Sequence, residues 1–166
     1  MSGRVYLELS SDEGPLEGES TVESIGGIDV SKMIECEWYS DGVTAAQDPA
    51  SRTPTGQRIH DPISVRKWVD KSSPELQKAL CHTQPVEGTF YFFRPSRGGG
   101  QNEHFFSVRI ADGRVSKIKR FLPEAEGDVT AAGKPPMEEV SFVFGTCTWT
   151  HVPGGKEHED SWAQQG

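Results

Sequence analysis

Thr55-Gly-Gln-Arg-Ile-His-Asp-Pro-Ile-Ser-Val-Arg-Lys-Trp-Val-Asp-Lys-Ser-Ser-Pro-Glu-Leu-Gln-Lys-Ala-Leu80 runs through a turn, a strand and a helix start in succession. Ile63, Val65 and Val69 fall on one face of an extended segment, interrupted by Lys67, while Arg66 and Trp68 fall on the other. The alternation stops at Asp70. Ser72 or Ser73 is placed to accept a hydrogen bond from the free N–H groups of a first helical turn. Pro74 suits the first helical position, where its missing N–H would have had no partner. Glu75 stands three residues after Ser72, as a capping box requires. Leu76, Ala79 and Leu80 then form a one-sided apolar stripe. The spacing predicts one short helix over about residues 73–81.

Towards the N-terminus, Val5, Leu7 and Leu9 alternate with Tyr6 and Glu8, the pattern of a half-buried strand. Ile28 to Tyr39 reads as a long strand, with Ile34, Cys36 and Trp38 inward and Glu35, Glu37 and Tyr39 outward. From Ser40 to Pro62 no periodicity is sustained, and Gly42, Pro49, Pro54, Gly56 and Pro62 punctuate the segment. A long loop is expected at 40–62, and compact domains rarely carry an idle loop of that length. Towards the C-terminus, Thr89 to Arg94 is an aromatic strand and Pro95 to Gln101 a flexible turn. Phe106, Val108 and Ile110 mark its partner, and Asp112-Gly113 predicts a tight hairpin into Val115–Phe121. A Pro/Gly-rich loop is expected from Pro123 to Pro136. A last long strand starts near Glu138, with Val140, Phe142 and Phe144 inward. The apolar phase shifts at Gly145 to Cys147 and Trp149, as a one-residue bulge would shift it. The tail at 151–166 is polar and is expected to be loose. Seven or eight strands at hairpin-like spacing with one helix define an all-β-dominated class, an antiparallel β-barrel or sandwich.

The 166 residues fit a single domain, 1–166, and the 18 glycines and 11 prolines favour turns over long helices. A net charge of −8 argues against nucleic acid as a partner, because neutralising phosphates needs a basic surface. The charge is segregated along the chain: residues 1–40 sum to −7, residues 52–120 to +7 and residues 121–166 to −6. Such segments either intermix on one protomer's surface or meet as opposite patches between subunits. Cys36, Cys81 and Cys147 form no C-x-x-C pair and stand in apolar contexts, so buried free thiols are expected, consistent with folding in a reducing cytoplasm. Met1-Ser-Gly-Arg leads straight into a strand, so no cleavable signal is expected. No apolar run approaches membrane-spanning length, and no stable membrane insertion is expected.

Thr55-Gly-x-Arg58-Ile-His60-x-Pro62, followed by Asp70-x-Ser72-Ser-Pro-x-Leu76-x-Lys78-Ala79, resembles the Hcp family, the tube proteins of type VI secretion systems. The ends agree with it: Val5-Tyr-Leu-Glu-Leu9 at the start, then Phe142, Thr148-Trp-Thr150, Gly154-Gly155 and Asp160-Ser-Trp162. The resemblance spans roughly Val5 to Trp162. It implies a β-barrel of two sheets with a helix on its side, and a structural protein rather than an enzyme. It further implies hexameric rings that stack into a tube and carry effector proteins in the lumen. Sheath, spike and baseplate proteins would be partners. Such a subunit is cytoplasmic before firing and secreted afterwards without a cleavable signal. The family's extended loop corresponds to 40–62, which makes Asp41, Arg52, Thr53, Thr55 and Arg58 candidates for ring stacking.

The residues themselves assemble no catalytic pattern. Glu35 and Glu37 share a strand face, but catalytic carboxylate pairs flank a cleft from different elements. A solvated face is expected, or in a ring a lumen or interface face. The five histidines lie on separate elements without H-E-x-x-H or paired Cys/His spacing, so no metal or cofactor is expected. His60 reads as an anchor for the long loop. Phe90 to Phe93 read as core plus subunit contact. Two alternatives stand beside the tube reading: a tube protein of a related contractile particle, and a small ligand-binding β-barrel with its pocket at Phe90–Phe93.

Overall fold

A computed structural model describes residues 4–123 and 135–162. The described chain forms β1 (Val5–Ser11), β2 (Gly14–Leu16), β3 (Ser24–Ile25), β4 (Ile28–Asp29), β5 (Ile34–Cys36), β6 (Trp38–Ser40), β7 (Val43–Gln47) and β8 (Pro54–His60). It continues through β9 (Ile63–Trp68), the helix α1 (Ser72–Cys81), β10 (Val86–Pro95), β11 (Asn102–Phe121), β12 (Met137–Val143), β13 (Thr146–His151) and β14 (Lys156–Ser161).

Strand β11 organises these elements, because its two halves belong to different sheets. Its first half pairs antiparallel with β10 and β13, and its second half pairs with β12. The first sheet continues from β10 to β1 and β5, the second from β12 to β9 and β6. β5 and β6 are separated only by Glu37, whose N–H donates to the Arg66 carbonyl at 2.7 Å. The two sheets therefore share β11 on one side and the segment 34–40 on the other, the expected two-sheet antiparallel architecture. Leu7, Ile34, Ile63, Phe90, Ile110 and Phe142 fill the space between them, and α1 adds Leu76 and Ala79 from the side. A smaller cluster of Tyr6, Ile25, Val30 and Met33 lies on the outer face of the first sheet, under the β3–β4 hairpin. Tyr6, expected to face solvent, is buried for that reason.

Several expectations are corrected. Asp112-Gly113 does not reverse the chain. Asp112 adopts a φ of +52°, and the strand bends there from one sheet into the other. The partner chain bends opposite it: the Gly145 N–H donates to the carbonyls of Ala111 and Asp112, between β12 and β13. The apolar phase shift at Gly145 thus marks a change of sheet rather than a one-residue bulge. Ile28–Tyr39 is three short strands, and the break at Glu37 leaves Trp38 exposed and Tyr39 packed on the core. The segment 40–62 is a β-hairpin, with Val43 opposite His60 and Gln47 opposite Pro54. The polar tail contains β14, paired along its length with β13. The expected 123–136 loop lies mostly outside the described residues.

The helix starts at Ser72, one residue before the expected 73–81 span, and the serines do not cap it. Instead Asp70 Oδ1 accepts the Ser72 N–H at 2.9 Å. Ser73 Oγ accepts the Asp70 N–H at 3.0 Å and donates to Glu138 at 2.6 Å. Glu138 also accepts from Lys67, so the lysine that interrupts the apolar face of β9 is buried in an ion pair of 2.6 Å. Nearer the surface, ion pairs join Lys71 to Glu17, Lys78 to Glu13 and Arg58 to Asp160. Cations of the basic middle segment thereby meet acids of both flanking segments within one protomer. Cys36 and Cys147 are buried, whereas Cys81 is exposed at the end of α1.

Candidate functional site

Among the described residues, β7 and β8 pair only with each other, forming a two-stranded sheet apart from the main one. The tip is ordered by local bonds. Asp48 Oδ1 accepts the Ala50 N–H at 2.8 Å, the Asp48 N–H donates to the Thr53 carbonyl, and the Arg52 N–H donates to the Asp48 carbonyl. This loop holds Arg52 at a φ of +60°, with Arg52 and Thr53 both exposed. Thr55 Oγ1 donates across the hairpin to the Ala46 carbonyl at 3.3 Å.

The base of the hairpin is built differently. Period-two alternation along β8 turns Arg58 and His60 towards the main fold and Ile59 away from it, where Ile59 stays exposed. Arg58 donates from Nε and Nη2 to the two carboxylate oxygens of Asp160, each at 2.6 Å. This two-pronged geometry is the strong form of a charge-assisted contact. His60 Nε2 lies 2.7 Å from Asp160 Oδ2, and the ring is buried. Trp149 stacks on His60 with 5.9 Å between centroids, and Phe144 and Trp162 enclose it. The Arg58 guanidinium and His60 hold the Asp160 carboxyl well below the usual carboxylate range. At the start of the hairpin, Asp41 Oδ2 accepts from the Tyr39 hydroxyl at 2.7 Å and from Trp149 Nε1 at 3.3 Å. Burial, then the Asp41 charge, pushes the Tyr39 hydroxyl up. An open cleft of about 510 Å³ remains beside this base, lined by Val43, Arg58, His60, Trp149, His158 and Asp160.

The five stacking candidates thus divide. Asp41 and Arg58 sit at the anchored base, Arg52 and Thr53 at the exposed tip, and Thr55 between them. Glu35 and Glu37 do not stand together on an open face. Glu35 is buried and accepts from Arg4 Nη1 at 3.0 Å, the Tyr6 hydroxyl at 3.0 Å and Thr21 Oγ1 at 2.8 Å. Glu37 is half-buried, 3.4 Å from Arg4 Nε. Phe90 is fully buried, edge-on to Tyr39 and Phe142. Among the described residues, no three His, Cys, Asp or Glu side chains converge to hold a metal, and no helix is long and apolar enough to cross a membrane. Asp160 and Trp149 follow from no local pattern, since both lie about a hundred residues from the hairpin they hold. The Thr148-Trp-Thr150 and Asp160-Ser-Trp162 motifs were the available signal.

The model of the family described as type VI secretion system effector, Hcp, matches residues 6–151. This chain belongs to the Hcp family. The "Major exported protein" of Pseudomonas aeruginosa is 30% identical to it, over 98% of this chain and 96% of that relative. A crystal structure of an Hcp protein is 25% identical and superposes with a TM-score of 0.83, covering 99% of each chain. Hcp1 of the E. coli EAEC 042 pathovar is 26% identical with a TM-score of 0.80, covering 95% of this chain and 97% of that one. As an Hcp protein, the chain is a type VI secretion tube protein, and the pinned hairpin lies within the matched residues.

Proposed function

We propose that this chain is the inner-tube subunit of a type VI secretion apparatus, assembling six to a ring, with rings stacked through the β7–β8 hairpin. A hairpin held at its base by a two-pronged ion pair and standing free at its tip carries this reading. A stacking element has to present polar contacts outside the protomer at little ordering cost on assembly, and a pre-ordered tip meets both needs. Arg52, Thr53 and Thr55 make the axial contacts, while Asp41 and Arg58 hold the base. Glu35 is committed inside the protomer, so Glu37 is the member of that pair that faces a neighbouring subunit. The work is mechanical rather than enzymatic. A sheath contracts around the stacked rings and drives them outward behind a spike from a baseplate, with effectors in the lumen. The protein is cytoplasmic until then and secreted afterwards.

Replacing residues 48–53 by Asn-Gly closes the hairpin with a two-residue turn and removes the tip. Negative-stain images of the parent protein are expected to show rings with a central hole and short stacks. The shortened variant is expected to give single rings. Stacks of undiminished length in that variant would remove the hairpin from the assignment.

A further inference from the structure

The ion pairs that hold the base of the hairpin among the described residues end on the C-terminal pair of strands. Arg58 and His60 reach Asp160 on β14, and Asp41 reaches Trp149 on β13. β14 is otherwise unlike a core strand. Its residues Lys156 to Glu159 are exposed, and among the described residues it pairs with β13 alone. Such a short, charged edge strand contributes little apolar burial and resists pairing with other chains. Asp160 departs from that pattern, since its carboxylate is turned inward and engaged at both oxygens. Trp162, two residues on, closes the aromatic wall over His60, and its N–H donates to the Gly145 carbonyl at 2.8 Å.

We infer that Asp160 is the positioning residue of the hairpin, the acceptor shared by Arg58 and His60 that sets the angle at which the tip leaves the fold. The geometry permits one orientation. A planar guanidinium bound at both prongs cannot swing about a single bond, and the His60 ring on the same carboxylate adds a second fixed direction. Local stability then follows. β7 and β8 bury almost no apolar surface of their own, and a lone two-stranded hairpin is marginal in water. Without Asp160 the hairpin opens independently of the core, whose sheets do not depend on it. The functional consequence, loss of axial contact, rests on the stacking role proposed above.

The test compares Asp160→Asn and Arg58→Ala with the parent protein. Amide hydrogen exchange across residues 43–60 is read beside exchange in β1 and β10, with negative-stain stack length as a second readout. Both variants are expected to speed hairpin exchange at least about tenfold while leaving β1 and β10 unchanged. Asp160→Glu, which keeps a carboxylate for Arg58, is expected to recover most of the protection. A purely global loss of stability would instead speed exchange in all these strands together, and that result would overturn the inference. So would unchanged hairpin exchange in both variants. Faster hairpin exchange with stacks as long as the parent's would confirm Asp160 as the anchor and refute the stacking role of the hairpin.

Discussion

Glu138→Ala is expected to be among the most damaging single substitutions in this protein. The Glu138 side chain is fully buried and accepts from Lys67 Nζ at 2.6 Å, Ser73 Oγ at 2.6 Å and Arg120 Nε at 3.1 Å. These donors come from β9, the first turn of α1 and β11, so one carboxylate ties the helix to the second sheet. The three contacts differ in weight. Arg120 is 42% exposed, and its pairing is largely screened by water. Lys67 is 1% exposed, so its ammonium has no route back to solvent when Glu138 is removed. Removing one partner of a buried pair costs about 3–5 kcal/mol. Asp70 Oδ1 and the Trp68 carbonyl, each 3.0 Å from Lys67 Nζ, remain as acceptors and place the cost near the lower end, about 3 kcal/mol. For a domain of this size that corresponds to a melting shift of roughly 6–12 °C. Replacing both partners by apolar residues of similar volume, Lys67→Met with Glu138→Leu, is expected to recover most of the loss, since neither charge is then buried alone. Urea unfolding followed by tryptophan fluorescence at pH 7 reads both variants against the parent. A cost below about 1 kcal/mol for Glu138→Ala would refute the reasoning, because it would mean that Lys67 reaches water in the folded state.

Gly88→Ala is expected to cost about 1–3 kcal/mol in the same assay, because a Cβ there would lie 2.3 Å from the Glu8 carbonyl oxygen and force β1 from β10; an unchanged midpoint would show that this ladder yields freely. A disulfide reagent at pH 8 is expected to titrate one thiol quickly, the exposed Cys81. Burial pushes the Cys36 and Cys147 thiols up to about 12, so rapid reaction of two or three thiols would contradict their placement. His104 packs between Tyr91 and Phe93, its Nε2 buried without a partner among the described residues, and burial lowers its pKa below the usual 6.5. The unfolded chain then binds the proton at higher pH than the folded one. Stability is therefore full above about pH 6.5 and declines as pH falls from there towards the lowered folded value. His104→Gln is expected to remove that decline, and an identical pH profile in the variant would show that other groups cause it.

What the sequence disclosed follows from burial. β1, β9 and β12 each turn one face to the main core, so Val5, Leu7, Ile63, Val65, Val140 and Phe142 show the period-two pattern plainly. The hairpin 43–60 shows no such pattern because both its faces are largely exposed, and without a buried face nothing selects alternating residues. β14 is hidden for the same reason, being polar at every position from Lys156 to Ser161. Asp112-Gly113 misled differently: a positive φ serves a reversing turn and a strand bend equally well, and only the partner at Gly145 distinguishes them. The anchored site was half legible. Arg58 and His60 stood in a recognisable motif, but their shared acceptor lies a hundred residues away, and no local rule joins His60 to Asp160. Glu35 looked solvent-facing because alternation cannot register a second layer, and here the segment 21–33 covers that face.

The central claim is that this protomer is built to form a ring, and the solution mass of the purified 166-residue chain tests it most directly. Light scattering coupled to size exclusion, at tens of micromolar, is expected to give a particle of six times the 18.3 kDa chain mass. A single peak at the mass of one chain under those conditions would contradict it.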